Sequence, residues 1–195
     1  MILHLRARRV PLALAASVGA AALIWALWLI FSDNRDSAAL IVVLTIALMV
    51  SALSPTLAGP DEDLERAAAL RWPRQRALHL LAAVAVVVVV LLATLLTGAR
   101  FGPATLVLGT TAGLVGLTAA CATVVGAARS WFLPLGWTVV AALFPQSSGT
   151  WGVLATWQSQ PHTNGLAATV AAVLAVGGLA TYAFFGAARS ATADQ

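Results

Sequence analysis

Residues 53–76 read LSPTLAGPDEDLERAAALRWPRQR. Between two long hydrophobic runs, this stretch gathers four carboxylates (Asp61, Glu62, Asp63, Glu65) and four arginines (Arg66, Arg71, Arg74, Arg76). Charge at that density belongs in water rather than in lipid. Gly59-Pro60 followed by three acidic residues reads as a helix start, because proline fits a first turn and carboxylates there face the positive end of the helix dipole. Leu64, Ala67, Ala68 and Arg71 recur at spacings of three and four, so a short cytoplasmic helix is predicted over about 60–71, ended by Pro73. Two readings stand for it: a solvated connection between hydrophobic segments, or a helix that docks on a cytoplasmic partner.

Around this stretch the chain is built for lipid. Of its 195 residues, 61% are hydrophobic and 9% charged, with a mean hydropathy of +0.92, which describes an integral membrane protein rather than a soluble domain with one anchor. One crossing takes about 20 apolar residues, leaving room for roughly five to seven and little else. The basic residues are all arginine, because the sequence has no lysine. A phosphate-binding P-loop and lysine Schiff-base chemistry are thereby excluded from this chain, and any ATP it uses is bound by another subunit. Cys121 stands alone, which excludes an internal disulfide and a cysteine metal cluster. The bias toward Ala, Val, Leu and Arg points to a GC-rich bacterial genome.

The hydrophobic pattern predicts an all-α, polytopic fold forming a single transmembrane domain over 1–195. Six transmembrane helices are expected at about 10–31, 37–58, 77–97, 104–127, 128–145 and 165–186. A basic lead containing Arg6, Arg8 and Arg9 precedes the first, and its apolar run is longer than the core of a signal peptide, so it is read as an uncleaved helix. Trp25 and Trp28 sit at the far end of that helix, as membrane-belt anchors or as pathway wall. Pro55 is expected to loosen the end of the second crossing. The fourth carries Gly109, Gly113 and Gly116, and the last carries Gly177, Gly178 and Thr181, as surfaces for close helix approach. The fifth is short, and after it comes QSSGTWGVLATWQSQPHTN over 146–164. That segment is too polar to span and is rich in tryptophan, so it reads as an interfacial or re-entrant element on the outer face.

Arginine placement sets the orientation. Arg6, Arg8, Arg9, Arg66, Arg71, Arg74, Arg76, Arg129 and Arg189 fall on one side of the six-crossing layout, and Arg35 and Arg100 on the other. Nine against two obeys the positive-inside rule, so both termini are expected in the cytoplasm and the protein in the cytoplasmic membrane of a bacterium. None of the predicted crossings holds an Asp, Glu or Arg near its middle, which argues against proton or sodium coupling. His79 is expected at the inner membrane edge in an interfacial hydrogen bond; His4 and His162 are equally isolated. The sequence offers neither catalytic residues of its own nor a metal site, and whether it belongs to an ATP-hydrolysing enzyme complex is left to its partners.

This layout resembles the transmembrane subunit of the type-2 class of ABC exporters: a basic lead, two crossings, a charged cytoplasmic helix, three crossings, a tryptophan-bearing external hairpin and a last crossing. The resemblance implies that the helix over about 60–71 is a coupling helix, docked on an ABC ATPase through Asp61, Glu62, Asp63, Leu64, Glu65, Arg66 and Ala68. It implies that 146–164 is the external hairpin, here small for a closing cap. A second transmembrane subunit, identical or similar, would complete the unit, with ATP and Mg2+ bound by the ATPase and no cofactor bound by this chain. The first and fifth crossings would line the interface, which nominates Trp25, Trp28, Trp137 and Phe144 as pathway lining. A charge-free lining suits an amphipathic or hydrophobic cargo such as a drug, antibiotic or lipid-like molecule. Membrane lipid is the surrounding partner and nucleic acid is not expected. The alternative is a non-transporting membrane scaffold or regulatory subunit of a larger complex.

Overall fold

A computed structural model describes residues 10–58, 72–144, 149–161 and 163–188. Within them lie seven α-helices: α1 Val10–Phe31, α2 Ala39–Leu53, α3 Trp72–Thr94, α4 Ala104–Val125, α5 Phe132–Leu143, α6 Thr150–Ala155 and α7 Gly165–Phe185. Short 3₁₀ turns follow α2 at Ser54–Leu57, α4 at Ala127–Arg129 and α6 at Trp157–Ser159. Five of these helices, α1, α2 with its 3₁₀ turn, α3, α4 and α7, are long and apolar enough to cross a membrane. The chain is therefore a multi-pass membrane protein. The fifth predicted crossing is a different object: α5 has 12 residues, about 18 Å of helix against a hydrocarbon layer of roughly 30 Å.

The first four long helices, α1 to α4, run alternately up and down, and the turns beside them mark two ends of the bundle. At one end, here the upper, the turns 32–38 and 95–103 meet: the Arg100 amide donates to Arg35 O at 2.7 Å, and the Ser37 amide to Arg100 O at 2.9 Å. Phe101, fully buried, plugs this end, and its amide donates to the Thr94 hydroxyl at 3.2 Å. The lower end holds the Ser54–Leu57 turn, the start of α3 and the Ala127–Arg129 turn, together with the close of α7, where the Ala188 amide donates to Ala122 O at 2.8 Å. Pro55, expected to loosen this end of the crossing, lies instead in the 3₁₀ turn that closes α2. Pro73 takes its place in the first turn of α3, which begins at Trp72, five residues before the predicted crossing, where a missing amide proton costs no helical bond.

Burial separates the helices into two groups. Of their apolar windows, 61% is buried for α2 and for α4, against 11% for α1 and 17% for α3. The valine-rich α3 needs no partner because lipid solvates it as well as protein does, whereas α4 carries the threonines and glycines that lipid cannot satisfy. Thr110, Thr111, Gly113, Gly116 and Thr118 of α4 are all buried.

The most extensive pairing is between α4 and α7, which run parallel, and glycine sets its distance. A Cβ placed on Gly178 would collide with the backbone of Gly116, and one on Gly116 with the backbone at Leu174 and Ala175. Gly109 and Gly177 open onto free space, so the GxxxG pair of α4 is not the contact unit; Gly113 and Gly116 are. Backbone on both sides of the contact cannot yield as a side chain can. Gly116→Ala and Gly178→Ala are each expected to destabilise the bundle by about 1–3 kcal/mol, seen as a lower thermal midpoint in detergent. Gly177→Ala should stay within about 0.5 kcal/mol of the native chain.

Candidate functional site

α5 by itself is too short to cross, and the described chain that follows it, from 149, lies against the bundle before α7 begins at the upper end. Residues 149–160 fold as α6 and the Trp157–Ser159 turn, and Thr156 and Gln158 are fully buried while Trp157 is 4% exposed. The Trp157 ring lies on Gly113 of α4: a Cβ there would sit 2.7 Å from Cζ3 and closer still to Cη2. Gly113 is the tenth residue of α4, about 14 Å below its upper end. The tryptophan-rich segment thus reaches far into the apolar layer.

Irregular backbone at that depth is tolerated only where protein satisfies it. Trp137 of α5 does part of this, its indole N–H donating to Ala155 O at 2.8 Å. The Thr110 hydroxyl of α4 lies 3.5 Å from Gln158 O. The Thr138 hydroxyl is shared between Pro134 O at 2.8 Å and Gln158 Oε1 at 2.7 Å. Gln160 Nε2 donates to the Thr156 hydroxyl at 2.7 Å, which in turn donates to Gly152 O. Asn164 then starts α7 by accepting from the Leu166 and Ala167 amides. Two donors within this buried group remain without a protein partner, Nε1 of Trp157 and Nε2 of Gln158. Turning the Gln158 amide over exchanges the end that meets Thr138 and leaves the other end unpaired.

The four aromatics nominated as pathway lining do not share one cavity. Trp25 donates to the Thr97 hydroxyl at 3.0 Å and ties α1 to the turn after α3. Trp28 donates to Asn34 O at 2.9 Å and borders an apolar groove with Ile24, Phe31, Ile41 and Leu44 between α1 and α2. Trp137 belongs to the buried group around the hairpin, and Phe144 stands 61% exposed just after α5. Reading the sequence missed Thr110, Thr138, Gln158 and Gln160 as a set. Their types were visible, but their juxtaposition depends on the depth to which the hairpin folds back.

Asp61, Glu62, Asp63, Leu64, Glu65, Arg66 and Ala68, the expected docking residues, lie outside the described residues, as do His4 and His162. The chain on both sides of them is anchored. The Tyr182 hydroxyl of α7 donates to Leu57 O at 2.8 Å in a buried contact. The Thr56 hydroxyl donates to Leu53 O, and the same oxygen lies in hydrogen-bond contact with His79 Nε2 at 3.1 Å. Arg76 packs against Gly186, where φ is +73° and a Cβ would press on the guanidinium. Tyr182, Thr56, His79 and Arg76 therefore bind the end of α2 and the start of α3 to each other and to α7.

No protein family, curated protein or solved structure matches this chain. Its chemistry is read from its own residues, and the hairpin is the part most open to test. Gly113→Ala should cost about 1–3 kcal/mol in the native chain. With Trp157→Leu already in place, the same change should cost less, because the ring it strikes is gone and only the 3.3 Å approach to Ala171 Cα remains. Additive effects on the melting midpoint would show that the ring does not rest on Gly113.

Proposed function

We propose that this chain is the membrane-spanning subunit of an ATP-driven exporter of the type-2 ABC class, moving an amphipathic or hydrophobic cargo across a bacterial cytoplasmic membrane. ATP is hydrolysed by a separate subunit docked on the 61–69 stretch. The observation that carries the reading is the charged segment 59–71, set between two spanning helices whose lower ends are both hydrogen-bonded or packed to their neighbours. A segment held at both ends by a rigid bundle can transmit force; a slack loop cannot.

Other features support the same reading. A chain without lysine has no P-loop of its own, so ATP energy reaches it only through contact. With the lower end placed in the cytoplasm by its arginine excess, the hairpin faces outward, and α5 with that hairpin stands where a fifth crossing and external re-entrant element are expected. A sixth crossing is then completed by α5 together with neighbouring residues. In the working unit two such subunits carry two ATPases. Closure of the ATPases on ATP moves the 59–71 segments, and the anchored ends of α2 and α3 pass that motion to α7 through Tyr182 and Arg76.

Affinity purification of the full chain in mild detergent should bring down a nucleotide-binding protein with a lysine-containing P-loop. Leu64→Asp combined with Glu65→Lys should abolish that association and ATP-dependent efflux, and leave the melting midpoint of the membrane part within about 0.5 kcal/mol of the native chain. Recovery of the chain without any nucleotide-binding partner, together with unchanged ATP-linked efflux on deletion, would remove the proposal.

A further inference from the structure

A second feature lies beside the hairpin. Between the upper halves of α4 and α7 is a cleft of about 330 Å³, within the range of small-molecule sites. Thr105 and Gly109 of α4 form one wall, Ala168 and Ala171 of α7 the other, and Gln158 and Gln160 of the hairpin complete the lining. Its wall at Gly109 is open: a Cβ there would meet nothing within 4 Å. None of the described residues lining it is ionisable. Trp157 and Gln158 both border it, and Trp157 Nε1 and Gln158 Nε2 are buried and unpartnered by protein. An unpaired donor in such a setting favours any group that brings an acceptor to it.

We propose that this cleft binds a neutral amphipathic molecule, with its apolar part against α4 and α7 and an accepting oxygen, such as an amide or ester carbonyl, turned toward the hairpin donors. Neutrality follows from the lining, since a charge in a low-dielectric cleft without a counter-charge is strongly disfavoured. An acceptor is specified rather than a donor because Trp157 Nε1 is an N–H whichever way the Gln158 amide is turned. The inference goes beyond the transporter reading and does not need it: the cleft contains none of Trp25, Trp28, Trp137 or Phe144, and it forms within a single chain.

The test uses the purified full chain in phosphatidylcholine vesicles and a decanamide carrying a mid-chain alkyl diazirine. After illumination, mass spectrometry should place the label on 104–110 and 157–171. Excess plain decanamide should suppress it, and a diazirine-bearing decyltrimethylammonium should not label these peptides. Gly109→Leu fills the cleft from its open side and should reduce labelling about tenfold, a difference of about 1.4 kcal/mol. Ala168→Leu, on the facing wall, gives the same loss and serves if Gly109→Leu fails to insert. Labelling spread over the lipid-facing surfaces of α1 and α3, labelling indifferent to both substitutions, or equal labelling by the cation would overturn the proposal.

Discussion

The bundle depends on a single close approach, where the backbone of α4 at Gly116 meets the backbone of α7 at Gly178. Apolar side chains gain little by leaving lipid for protein, so helices in a membrane associate through how closely they pack and through the polar groups they satisfy. Any side chain at either glycine would push the pair apart. With the two helices in contact at that level, Gly113 presents a bare surface to Trp157, and Tyr182 comes within hydrogen-bond reach of Leu57 O. The upper cleft and the lower anchor are thus set by the same helix pair.

The hairpin follows from an arithmetic limit. Twelve helical residues cannot carry the chain across the hydrocarbon layer, so part of the way to α7 is covered by irregular backbone inside the protein. There its carbonyls need partners. Trp137 supplies one to Ala155 O and Thr110 lies within reach of Gln158 O, while Thr138 holds the Gln158 side chain. Polar residues at that depth are permitted because α2, α4, α5 and α7 screen them from lipid.

At the lower end polarity serves a different purpose. Ser54, Thr56 and Leu57 close α2, and Thr56 and Leu57 also meet His79 and Tyr182. Two chain ends that would otherwise fray are coupled to the last helix. The mechanical role proposed for the charged segment between them rests on this stiffness.

Much of this was legible in the residues. Helix type, five of the six expected crossings and the hydrogen-bonding role of His79 follow from hydrophobic run length and from the polarity of one imidazole at a membrane edge, whereas Pro55, expected to loosen the end of α2, sits in the 3₁₀ turn that closes it. Such properties are local, and local sequence carries them. Which glycines touch was not legible: Gly109, Gly113 and Gly116 look alike along the chain, and only the position of α7 makes two of them contacts and the third an opening. The depth of Trp157, the meeting of Thr110, Thr138 and Gln158, and the reach of Tyr182 to Leu57, 125 residues apart, were decided by tertiary structure alone. Each depends on how two helices distant in sequence are spaced and rotated, and no short stretch encodes that relation.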